Sequence, residues 1–139
     1  ISYCTACPGN DNGPGAGGMG PRGPHGSEND FLLERNLETA DNTPESAAAY
    51  ALCYKCHDRQ NILDDRSFKK HKKHIENVEA PCTVCHDPHG VATQTHLINF
   101  DTRVVSPNAQ GNLQFDDLGD RTGRCSLSCH NKQHNNQNY

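Results

Sequence analysis

The chain has 139 residues, a formal net charge of -4, only 32% hydrophobic residues and no tryptophan. So few apolar side chains cannot by themselves offset the chain entropy of a folded domain of this size; either something else supplies the interior or much of the chain is disordered. The acidic balance speaks against nucleic acid, and no apolar run is long enough to span a membrane.

Eight cysteines and nine histidines point instead to a metal or a cofactor. With no initiator methionine and no signal peptide, the sequence reads as a mature exported protein or as a piece of a longer one.

In chain order, YCTACPGN first pairs Cys4 with Cys7, followed by Pro8. Residues 8–26 hold eight of the twelve glycines and four of the eight prolines, so they read as a loop; it contains Met19 and ends on PHG with His25. TPESAAAYALCYKCH predicts a helix capped by Thr43, with Pro44 at its first position, running into Cys53, Cys56 and His57. SFKKHKKHIENV predicts a second helix from Ser67, with His71 and His74 on one face and the lysines mostly on a solvated one.

CTVCHDPHG contributes Cys82, Cys85 and His86, then a Pro88–Gly90 turn that carries His89 away from its own motif. HLINF follows with His96. TRVV and NLQF, separated by SPNAQG, predict a small hairpin. CSLSCH contributes Cys125, Cys129 and His130, with one extra residue between the cysteines, and the polar tail contains His134.

Three of the four cysteine pairs are followed directly by histidine. C-x-x-C-H is the attachment signature of c-type haem. On one helical turn, residues i, i+3 and i+4 share a face, so two thiols reach one edge of a porphyrin while the histidine ligates iron. CSLSCH is expected to close around haem through a slightly wider loop. Zinc is the alternative, since C-x2-C-x25-C-x2-C from Cys53 to Cys85 resembles a zinc ribbon with a long spacer and would make a zinc-stabilised binding module. Zinc has no need of a histidine directly after each pair. Three haem c groups are therefore expected, and each buried macrocycle adds the apolar mass that the side chains lack.

Six histidines remain as a pool of distal iron ligands: His25, His71, His74, His89, His96 and His134. Met19 sits in the glycine-rich loop, so bis-histidine iron, at a lower potential than methionine ligation would give, is the expectation.

The chain also repeats itself. CTACP, a glycine-rich insert, PHG, FLL and CYKCH run parallel to CTVCH, PHG, HLI and CSLSCH. His25 then corresponds to His89, and Cys4 and Cys7 correspond to Cys82 and Cys85. Cys4 and Cys7 are half of a fourth site without its histidine: either a disulfide, or a fourth haem with an iron ligand from elsewhere, such as His25.

CTVCHDPHG, PHGS, YALCYKCH and HLINF resemble multihaem c-type cytochromes with doubled C-x-x-C-H motifs, known from metal-reducing and sulfate-reducing bacteria. The resemblance implies a periplasmic or extracellular electron carrier that exchanges electrons with other redox proteins or extracellular acceptors. Some small tetrahaem relatives polymerise into filaments, which would make a homopolymer. Pro8 in place of histidine and the extra residue in CSLSCH depart from the pattern.

The expected architecture is mostly irregular coil with short α-helices and one small β-hairpin, wrapped around close-packed haems. It forms a single domain over 1–139, with related halves at about 1–60 and 80–134 joined by the His/Lys-rich helix. Electron transfer is the expected role, and no nucleophile–base constellation suggests catalysis. The enzymatic alternative is a multihaem reductase with one open haem site at Cys4 and Cys7.

Overall fold

The computed structural model describes residues 6–139. Two compact units divide the chain: residues up to 38 together with 44–59, and residues 39–43 together with 60–139.

In the first unit the glycine-rich segment is a tight, hydrogen-bonded loop. Pro14–Ala16 form a 3-10 turn closed by Gly17, whose φ of 90° belongs to the left-handed region that glycine tolerates. The Asn10 amide donates to the Gly23 carbonyl at 2.9 Å and ties the two ends of the loop together.

The helix expected from Thr43 is shorter and starts differently. Thr43 donates its hydroxyl to the Ala40 carbonyl, and the regular helix starts after Tyr50 without a side-chain cap. In the turn before it, the Ser46 Oγ accepts the Ala49 amide at 2.9 Å. The regular α-helix α1 spans Ala51–Tyr54, and Tyr50, fully buried, anchors its start. Glu45 accepts hydrogen bonds from Arg59 and from the Tyr54 hydroxyl, and the guanidinium holds its carboxyl below the usual range. A second short helix, α2, spans Arg59–Leu63.

The second unit overturns the coil-and-hairpin expectation, because it carries a four-stranded antiparallel sheet. Its strands are β1 (Val105–Ser106), β2 (Gln114–Gly119), β3 (Thr122–Cys129) and β4 (Lys132–Asn138). TRVV and NLQF do not pair with each other. Both pair with β3: Val105 lies opposite Cys129, and Phe115 lies opposite Cys125. β4 takes the other edge of β3, with Leu127 opposite His134.

Two-residue turns join β2 to β3 at Asp120–Arg121 and β3 to β4 at His130–Asn131, and all four residues have positive φ. That is the primed turn geometry that matches strand twist. The sequence offered the clue in CSLSC, where cysteine and leucine alternate with serine at period two.

Ser67 likewise starts no regular helix. Its hydroxyl lies 2.9 Å from His71 Nδ1, and Lys73–Asn77 form a π-helical turn. Val84, Val105 and Leu127 make the core of this unit, flanked by Cys85, Phe100, Val104, Leu113, Cys125 and Cys129. Beside it, Phe68 packs edge-on against Phe115 and Tyr139.

Gly123 lies under this aromatic group, and a Cβ there would overlap the Phe115 ring. Gly123→Ala is therefore expected to destabilise the second unit by about 1–3 kcal/mol through overpacking. Denaturant unfolding checks this; an unchanged midpoint would show that the ring moves aside freely.

Candidate functional site

Two C-x-x-C-H motifs fold into equivalent turns. α1 runs directly into CYKCH, where the His57 amide donates to the Cys53 carbonyl at 3.0 Å. In CTVCH, Cys82–Val84 form a 3-10 turn after Pro81, and the His86 amide donates to the Cys82 carbonyl at the same 3.0 Å. One hydrogen bond thus closes each motif and sets two thiols and an imidazole on one turn. None of the four cysteines is in a disulfide.

His86 is also oriented. Its Nδ1 lies 2.8 Å from the His96 carbonyl, so Nδ1 carries the proton and Nε2 holds the lone pair a metal needs. Burial, with Cys125 and Cys129 nearby, pushes the Cys85 thiol up to about 12. These residues fit a haem held by two thioethers and one axial nitrogen.

The internal repeat extends to the backbone. Behind CTVCH, His86 bridges to Ile98, the Asp87 amide donates to the Leu97 carbonyl at 2.9 Å, and Asn99 donates to the Cys85 carbonyl at 3.0 Å. In the first unit Pro8 bridges to Leu33, Gly9 donates to the Leu32 carbonyl at 2.9 Å, and Glu34 donates to the Cys7 carbonyl at 3.0 Å. Phe31 and Leu32 share the left-handed backbone of His96 and Leu97. Pro8 therefore stands at the backbone position of His86 without an imidazole. Cys4 lies outside the described residues; Cys7 is a free thiol.

Residues 23–62 match the family model of the doubled CXXCH motif. The matched span begins at Gly23, directly before the first PHG, and ends just beyond CYKCH, so it covers most of the first copy of the repeat. No curated protein matches the chain, and neither does any solved structure. The doubled CXXCH motif suggests covalent haem c and electron transfer. Among the described residues no helix is long and apolar enough to cross a membrane.

The third copy of the motif differs. CSLSC lies on β3, where Cys125 and Cys129 are four residues apart, about 13 Å in an extended strand. On a helical turn the same spacing is about 6 Å. His130 sits in the following turn at φ 47°, its Nε2 held 2.8 Å from Asp41. In this conformation the three residues do not fit one haem. Attachment there requires β3 to give up its ladder between Cys125 and Cys129.

The remaining histidines fall into two groups. His89 and His96 face carboxylates, Asp87 and Asp117 respectively. Rings are paired elsewhere: His71 with His86 at 6.2 Å between centroids, and His74 with His134 at 6.5 Å. His74 Nδ1 is bonded to the Lys70 carbonyl, and Tyr139 packs edge-on against His74 and His134. In the first unit His25 and His57 are exposed.

In the sequence Ser67 reads only as a helix start, not as the partner of His71, and neither Asp41 nor Tyr139 stands out. Ser67 was findable, four residues before His71. Asp41 and His130 are 89 residues apart, with no local signal.

Proposed function

We propose that this chain carries electrons through haem c groups attached at Cys53, Cys56 and His57 and at Cys82, Cys85 and His86. The observation that carries this reading is the pair of turns closed by the same hydrogen bond, each placing two cysteines outside any disulfide together with a histidine. Bound haem supplies a one-electron iron couple. The chain's part is to hold the thiols, to orient the imidazole through the His96 carbonyl and to bury the group.

Bis-histidine ligation, with distal ligands from the spare histidines, keeps the irons six-coordinate and closed to substrate. The proposal extends to an exported protein, periplasmic or extracellular, that exchanges electrons with other redox proteins or external acceptors. Assembly into a homopolymer belongs to the same reading, supported by the family resemblance and the surplus of histidines.

Covalent haem survives denaturation, so the intact mass of denatured protein, before and after thiol alkylation, tests the proposal. At least two haems are expected, with Cys53, Cys56, Cys82 and Cys85 protected from reagent. A lower count overturns it. A third haem, on Cys125 and Cys129, would mean that β3 opens between them.

A further inference from the structure

We infer that His71, which lies outside both copies of the repeat, is the distal ligand of the iron attached at Cys82, Cys85 and His86. The inference rests on the haem reading above and selects one histidine from the spare ones.

The first ground is spacing. The His71 and His86 rings are 6.2 Å apart between centroids, at an interplanar angle of 52°. Two imidazoles bound to one metal through bonds of about 2 Å hold their centroids about 6 Å apart when their nitrogens are trans, and closer when the nitrogens are cis. Both ring planes then contain the metal axis, so the angle between them is unrestricted. The observed separation of 6.2 Å matches the spacing that two ligands of one metal require.

The second ground is coordination number. Among the described residues no group of three or more histidine, cysteine, aspartate or glutamate side chains can hold a metal ion. A bare ion at this pair would have two protein ligands. A haem iron, with four equatorial nitrogens from its ring, needs those two and no more.

The third ground is orientation. His86 turns its protonated Nδ1 to the His96 carbonyl, the usual outer contact of a ligating histidine. His71 has Nδ1 against the Ser67 hydroxyl and its ring edge-on to Phe68 at 5.5 Å. Other histidines of this unit are engaged elsewhere. His74, three residues on, faces His134 and Tyr139; His89 faces Asp87; His96 Nε2 lies 3.0 Å from Asp117.

The test uses haem-loaded protein and counts spins by electron paramagnetic resonance of the oxidised form. In His71→Ala one haem equivalent is expected to change from low spin to high spin, and added imidazole should return it. The haem count by mass should stay unchanged. In a Cys82→Ala/Cys85→Ala background, which lacks this haem, His71→Ala should add no high-spin signal. A high-spin signal that persists there places His71 on another iron and overturns the assignment. So does His71→Ala protein that keeps its haems and remains wholly low spin, while the haem reading stands. Wild-type protein without covalent haem overturns both. If His71→Ala does not fold, His71→Met serves: one potential should rise and a methionine-ligated absorption band appear, both absent in the cysteine background.

Discussion

Replacing Pro8 by histidine is expected to add one haem to the protein. Cys7, Pro8 and Gly9 are held against Leu32, Leu33 and Glu34 by the same contacts that hold Cys85, His86 and Asp87 against Leu97, Ile98 and Asn99. Proline removes two things from this frame. It has no imidazole, and it has no amide hydrogen with which to make the bond by which His86 closes its turn on Cys82. Histidine supplies both. Intact mass should rise by one haem, and Cys4 and Cys7 should become protected from alkylation. An unchanged count would mean either that the frame is no longer able to accept haem or that the wild type already carries one there; alkylation of the wild type separates the two.

Tyr50→Ala should destabilise the first unit by about 3–5 kcal/mol, the usual range for deleting a buried aromatic ring. Tyr50 is 0% exposed and lies edge-on to Tyr54 at 6.3 Å. α1 begins at the next residue and carries Cys53. Domains of this size have total stabilities of roughly 5–15 kcal/mol, so the loss is a large share. The expected readouts are an earlier denaturant midpoint and a lower yield of haem at Cys53 and Cys56. Tyr50→Phe keeps the ring and should cost about 1 kcal/mol if the hydroxyl makes one net hydrogen bond. Equal losses in the two variants would place the stabilisation in the hydroxyl and sink the packing argument.

Much of the candidate site is legible in the sequence, because attachment chemistry depends on neighbours in sequence. CYKCH and CTVCH each need one turn, and each closes one. The repeat was legible too, including the place of Pro8, although the left-handed Phe31–Leu32 and His96–Leu97 pairs gave no signal. CSLSCH was misread as a wider turn for a definite reason. Residues i and i+4 share a face in a helix and in a strand alike, so shared facing could not separate the two. The alternation of cysteine and leucine with serine was the discriminating feature, and β1, β2 and β4 made it a strand.

Thr43 shows the same limit on a smaller scale. Thr43-Pro44 and Ser46 are both plausible starts for a helix, and the hydroxyl of Thr43 turned back to Ala40. Propensity ranks such choices weakly, and nearby contacts decide them.

By itself the sequence determined the attachment chemistry, the scarcity of side-chain core and the duplication, all of which are written in local spacing and composition. Only the tertiary structure decided which histidine faces which. His71 meets His86 across fifteen residues and His74 meets His134 across sixty. The physical reason is that a covalent motif acts within one turn, where backbone geometry is nearly fixed. A ring pair instead depends on the packing of Phe68, the course of β4 and the turn at Lys73–Asn77, which the whole unit settles together.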